Sequence, residues 1–181
     1  KYTLLRNDNR VYNFDVKASV TDLNGETQEG AYSIVVGNIS MLINLEVPEQ
    51  IEKTSDKSII KITARNLNGK DIATSGSYTV YKLDDRDSIQ SKVLDGTFKS
   101  GEQPELKSRL LKLPSAKYRI QVKALDDSGI EVDQKKDIIL FAYNDKKPPY
   151  KTNEWLVKKE VTFGDNKPAE IIFGVADKDF Y

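Results

Sequence analysis

The chain of 181 residues contains no cysteine and no histidine. Without cysteine there are no disulfides, no thiolate metal sites and no thiol nucleophile. Without histidine the usual general base near neutral pH and the commonest metal ligand are both missing, and a Ser-His-Asp triad cannot be built. Catalysis would fall to carboxylates, lysine and tyrosine, so the sequence is read as a non-enzyme that uses no cofactor. Neither sign of charge is in excess: 28 Lys and Arg balance 28 Asp and Glu, interspersed along the chain. No basic stripe addresses nucleic acid, and no cationic amphipathic stretch addresses a membrane surface. No apolar run reaches the length of about eighteen residues that a spanning helix needs. The missing cysteine also argues against a small disulfide-stapled secreted domain. The opening "KYTLLRNDNR" is not a signal peptide, and the closing "ADKDFY" stops on an aromatic residue. Both ends read as cuts through a longer protein.

The dominant hydrophobic period is two. In "VYNFDVKASV", Tyr12, Phe14, Val16, Ala18 and Val20 fall on one face, and Asn13, Asp15, Lys17 and Ser19 on the other, which reads as a half-buried strand. Further strands are expected at 31–36, 41–47, 58–65, 77–83, 92–98, 109–113, 118–125, 132–143, 154–163 and 170–175. They are rich in Val, Ile, Tyr and Phe, and turn residues separate them. That spacing predicts an all-β protein built of antiparallel, Ig-like β-sandwich. No long helical stripe is present. Leu106, Leu110 and Leu113 offer a short one, but Pro104 and Pro114 box it in.

An internal repeat runs through the chain: "VKASVTDLNG" from 16, "IKITARNLNG" from 60 and "IQVKALDDSG" from 120. Asp22, Asn66 and Asp126 share the seventh place, and Gly25, Gly69 and Gly129 the tenth. Each copy is a strand leading into a hairpin turn. The pairs Asn24-Gly25 and Asn68-Gly69 suit a two-residue turn with positive φ at the glycine, and the preceding Asp or Asn can bond the turn's amides. The unequal spacing of the copies marks related sandwich strands, not a solenoid.

Boundaries follow from the same pattern. The stretch "NDKKPPYKTNE" at 144–154 combines charge with Pro148-Pro149 and lacks alternation, so it reads as a linker. Residues 39–145 then make one complete sandwich. Residues 1–38 and 146–181 are each too short to hold a core alone. They are expected to belong to neighbouring domains, or to pair with each other.

Several clusters invite a chemical reading. Asp84, Asp85 and Asp87 in "LDDRDS" resemble a calcium loop, but Arg86 interrupts them and no glycine or distal glutamate follows, so a solvated loop is favoured. The lysine pairs at 135–136, 146–147 and 158–159 suit solvated faces and a linker. Trp155, Phe163 and Phe173 would suit a sugar-binding platform, yet lone aromatics on alternating strands belong by default to core. The interval from Leu83 to Arg109 is long for a sandwich connection. It reads either as a strand over 92–98 or as an exposed protease-sensitive loop with Arg86, Lys92 and Lys99 as cleavage sites.

The segment "ASVTDLNGETQEGAYSIVVGN" resembles bacterial α2-macroglobulin-family proteins, in particular the long Bacteroidetes type. Val20-Thr21-Asp22-Leu23-Asn24-Gly25-Glu26-Thr27 matches a strand that closes one macroglobulin domain. Residues 62–83 are similar to the opening of the next domain, residues 113–132 to its later strands, and residues 167–181 to the start of the domain after that. The resemblance implies a macroglobulin-type sandwich inside a large periplasmic or envelope protease inhibitor, with a lipid anchor beyond its N-terminal end. Its partners would be proteases trapped after cutting a bait segment, together with neighbouring domains of the same chain. It suggests residues 84–104 as that bait. The family's thioester is built from Cys-Gly-Glu-Gln in a separate downstream domain. Here Ser100-Gly101-Glu102-Gln103 lacks the sulfur, so it is a chance likeness. The rival reading is an Ig-like adhesin or carbohydrate-binding module of a bacterial surface.

Overall fold

The computed structural model describes residues 11–54, 57–158 and 171–175. In order they form β1 (Val11–Thr21), β2 (Thr27–Gly37), β3 (Met41–Glu46), β4 (Gln50–Glu52), β5 (Lys61–Asn66), β6 (Asp71–Ile72), β7 (Ser75–Leu83), β8 (Ile89–Lys99), β9 (Gly101–Glu102), α1 (Pro104–Leu110), β10 (Ala116–Leu125), β11 (Glu131–Phe141), β12 (Trp155–Lys158) and β13 (Ile171–Gly174). The protein is all-β, and its main body is a sandwich. One sheet has the strand order β4-β11-β10-β7-β8; the other has β3-β5-β6, with β9 paired to β5. Pairing is antiparallel except between β4 and β11, which run parallel.

Alternation explains the core. Ile60, Ile62 and Ala64 face Tyr118, Ile120, Val122 and Ala124 across the sandwich, and all seven are buried. Their odd-numbered neighbours on β10, such as Lys117, Arg119 and Lys123, carry the outer face. There Arg119 makes a two-pronged pair with Asp137 opposite it, at 2.6 and 2.7 Å. Burial pushes the Tyr118 phenol up to about 12. Its hydroxyl donates to the Pro114 carbonyl at 2.8 Å and fixes the entry to β10.

The short helix corrects the strand expected over 109–113. Pro104 occupies the first helical turn, where its missing N–H is no loss and its fixed φ suits the helix. Leu106 and Leu110, one turn apart, are both buried against the core. Pro104, expected to bound this short stripe, sits in the helix's own first turn.

The turns are three residues long, not two. After β1, β5, β7 and β10 the same device recurs. The first residue (Asp22, Asn66, Asp84 or Asp126) accepts, at its carbonyl, the N–H of the residue three further on. Its side-chain Oδ1 accepts the N–H groups two and four further on, at 2.8–3.1 Å. The fourth residue is left-handed: Gly25 at φ 84°, Gly69 at 78°, Asp87 at 60° and Gly129 at 76°. This is a type I turn closed by a bulge, the usual three-residue hairpin loop. The positive φ expected at Gly25 and Gly69 is present, and Gly129 shares it. No neighbour lies near a Cβ at Gly69 or Gly129, so the whole cost of a side chain there is conformational. Gly69→Ala and Gly129→Ala should each lower stability by about 1 kcal/mol in urea unfolding. No change in either variant would show that the left-handed backbone is not required.

Asp126 also ties the third repeat turn to the start of the sandwich. Its Oδ2 accepts the Ser40 N–H at 2.8 Å, while Oδ1 holds the N–H groups of Ser128 and Ile130. Burial alone would raise its pKa, but the hydrogen bonds from Ser40, Ile130 and Ser128 outweigh it and hold the carboxyl below the usual range. A carboxyl depressed in the folded state stabilises above its unfolded pKa, and that contribution disappears as pH falls through the folded value. Stability should therefore drop below about pH 4, and less steeply in Asp126→Ala than in the parent chain. Identical acid limbs in thermal melts of the two proteins would remove Asp126 from the account. At neutral pH the same variant should lose about 1–3 kcal/mol, because three backbone donors lose their acceptor.

Two smaller hairpins flank the sandwich. β1 pairs with β2 over eleven residues each, and β12 pairs with β13. The first was expected to be half-buried. Instead Phe14, Val16, Val20, Tyr32 and Ile34 are exposed, because the described residues place no second layer over them. In the second hairpin Trp155 and Val157 are buried, while Leu156, Ile171 and Phe173 face outward. Residues 159–163 of the strand expected at 154–163 lie outside the described residues.

Candidate functional site

Residues 84–104 were the leading candidate for function, read either as a strand over 92–98 or as a protease-sensitive loop. Of the two, the strand is present, and it is longer than expected: it runs from Ile89 to Lys99. β8 pairs with β7 from Ser75↔Lys99 to Leu83↔Ile89, with irregularities where Gln90 and Val93 are passed over. Such bulges twist an edge strand away from further pairing. Arg86 sits in the tight turn 84–88, Lys92 lies on the strand in an exposed ion pair with Asp95 at 3.1 Å, and Lys99 pairs with Ser75. All three side chains are exposed, but the backbone beneath each is held by hydrogen bonds.

The end of β8 is fastened to the helix. Arg109 donates from Nη1 to the Tyr78 hydroxyl and to the Asp95 carbonyl, both at 2.8 Å. Gly96 lets this happen: a Cβ there would stand 2.6 Å from the Tyr78 hydroxyl oxygen. The "SGEQ" residues are equally structural. Ser100 Oγ accepts the Thr74 N–H and donates to the Thr74 carbonyl. Gln103 Nε2 donates to the carbonyls of Lys99 and Gly101. Neither side chain is aimed at the other's chemistry.

The three aspartates of 84–87 diverge. Asp84 holds its own turn, and the N–H groups of Ser88 and Arg86 keep its carboxyl below the usual range. Asp85 accepts the Lys151 N–H at 3.1 Å, and Asp87 pairs with Lys117 at 2.8 Å. Lys117 in turn lies over the Tyr150 ring, 4.3 Å from its centre. Among the described residues no group of three or more potential metal ligands comes together.

These contacts reveal what sequence reading missed: the far part of the expected linker, at Tyr150 and Lys151, is docked, while 144–147 is exposed. Tyr150 meets Trp155 edge-on, Trp155 meets Phe141, and Phe141 meets Tyr143, with ring centres 5.5–5.8 Å apart. Trp155 is buried in this cluster, so it cannot share a sugar-binding platform with the exposed Phe173; Phe163 lies outside the described residues. The adjoining cavity, lined by Tyr143, Pro148, Trp155 and Phe173 among others, measures about 190 Å³. That is below the range of about 300–1,000 Å³ typical of small-molecule sites. Lys135 pairs with Asp133 at 3.3 Å on the outer sheet face, as expected for a solvated strand. No helix among the described residues is long and apolar enough to cross a membrane. No protein-family model matches the chain, and a search of curated proteins returns no match.

Proposed function

We propose that this chain is a structural segment of an α2-macroglobulin-like protease inhibitor of the bacterial envelope. Residues 39–145 would be one complete macroglobulin-type unit. Residues 1–38 would close the unit before it, and 146–181 would open the one after. The observation that carries this reading is a closed sandwich flanked by two hairpins, each with an apolar face open to solvent. A two-stranded sheet is marginal alone, so such hairpins suit a chain of units that complete one another. The turn motif around Asp22–Gly25 and the lack of histidine and cysteine fit a mechanical role better than a chemical one. In this reading the partners are proteases and neighbouring domains, and the location is periplasmic or envelope-bound. The paired β8 gives residues 84–104 a structural part and leaves the bait to another segment of the longer protein.

The test is capture. The intact protein, incubated with a slight deficit of trypsin, should leave trypsin active on a small peptide substrate but inactive on a large protein substrate, with the protease co-migrating on size exclusion. Trypsin that keeps full activity on both substrates, or that loses both, contradicts the proposal.

A further inference from the structure

The β10–β11 hairpin is an internal template for the exposed β1–β2 hairpin. Its turn and register match those of β10–β11: Asp22 corresponds to Asp126 and Gly25 to Gly129, while Phe14↔Ile34 corresponds to Tyr118↔Ile138 and Tyr12↔Val36 to Ala116↔Leu140. Phe14, Val16 and Ala18 thus stand where Tyr118, Ile120 and Val122 stand. In β10 and β11 these positions, with Ile138 and Leu140, are 0–6% exposed, because β3 and β5 lie across them. In the hairpin Phe14 is 50%, Val16 49%, Ile34 42% and Val36 39% exposed. Tyr32 takes the place of Lys136, which makes the hairpin face more apolar than its template. No charged residue lies on this face, whereas Asp15, Lys17 and Glu29 are confined to the opposite one.

We infer that the Tyr12–Val20 face of this hairpin is half of a sandwich, completed by a neutral aliphatic sheet of the β3–β5 kind carried on an adjoining unit of the same polypeptide. The inference rests on the reading of the chain as one segment among like units. A second copy of the chain cannot supply that sheet, because each copy's β3 and β5 are already buried against its own β10 and β11. Two sheets packed in this way sit about 10 Å apart with interdigitated apolar side chains. A tethered sheet also meets the hairpin at a high effective concentration without a separate association step.

The absence of cysteine from this chain makes the test clean. Val16→Cys and Ala18→Cys report the apolar face, Ser19→Cys the polar face and Leu23→Cys the turn tip. Maleimide labelling is read by peptide mass mapping in the 181-residue chain and in the intact protein. In the 181-residue chain all four should label at similar rates. In the intact, monomeric protein the first two should label at least tenfold more slowly than the last two. Val16→Cys trims its side chain and Ala18→Cys enlarges one, so agreement between them excludes an effect of replacement size; protease capture is not a readout, so this inference and the inhibitor reading can fail separately. Equal rates at all four sites in the intact protein would overturn the inference. So would protection that accompanies a dimeric mass and disappears on dilution, since a second copy would then be the cover.

Discussion

Ile120→Ala is expected to lower the unfolding free energy of the sandwich by about 2–4 kcal/mol, the range for removing a buried aliphatic branch and leaving a cavity. Ile120 has no exposed surface and sits in the middle of β10, with β7 on one side and β11 on the other. Both neighbours pin the backbone, so the site cannot collapse around the missing atoms. Val16 occupies the same place in the repeat, yet it is 49% exposed. In the 181-residue chain Val16→Ala should therefore cost less than about 0.5 kcal/mol. Urea unfolding of the two variants compares one sequence position in two environments. Equal effects would mean that the hairpin face is already covered or that β10 is not core.

A larger loss is expected from Gly76→Ala. Gly76 lies between Ala124 on β10 and Phe98 on β8. A Cβ there would overlap the Lys123 carbonyl oxygen and stand 2.9 Å from the Phe98 ring and 3.0 Å from the Ala124 Cβ. The first of these is backbone in the centre of a sheet and cannot step aside. Relief requires β7 to separate from β10, so the cost should reach at least about 3 kcal/mol, the upper end for overpacking. Gly96→Ala presses instead on the end of the Tyr78 side chain, which can move if it surrenders the Arg109 hydrogen bond. Its effect should be smaller, about 1–2 kcal/mol. If Gly76→Ala unfolds at the same urea concentration as the parent, the close approach of β7 and β10 is wrong.

These two positions mark the boundary of what the sequence discloses. Ile60–Ala64 and Tyr118–Ala124 alternate strictly because each strand has one face in the core, so their burial is legible residue by residue. Gly76 and Gly96 carry no such signal, since their role depends on strands distant in sequence. β8 was ambiguous for a related reason. As an edge strand it buries only Phe98 and is broken by two bulges, which erases the alternation. The turn at 84–88 was hidden because Asp87 takes the left-handed place that glycine fills in its three sisters, a conformation aspartate tolerates. The hairpin β1–β2 shows the opposite failure: its alternation is plain, but no layer covers it among the described residues. At the candidate site, Arg86, Lys92 and Lys99 were read as cleavage sites in a loop; their side chains are exposed, on the turn and strand of 84–99. The ties from Asp85 and Asp87 to Lys151 and, through Lys117, to Tyr150 join residues 30 and 66 positions apart, and no local pattern announces them.

Limited trypsinolysis with mass mapping distinguishes scaffold from bait at residues 84–104. A protease must draw roughly eight to ten residues of backbone into its cleft, so paired strands and tight turns resist it until they open locally. Arg86, Lys92 and Lys99 all lie on such backbone. Lys146 lies in an exposed stretch whose nearest backbone hydrogen bond is the turn from Asp145 to Ala142. If 84–104 is scaffold, first cuts fall within 144–154 or in the terminal segments, with 84–104 intact. First cuts after Arg86, Lys92 or Lys99 would contradict the scaffold reading and return the bait to this segment.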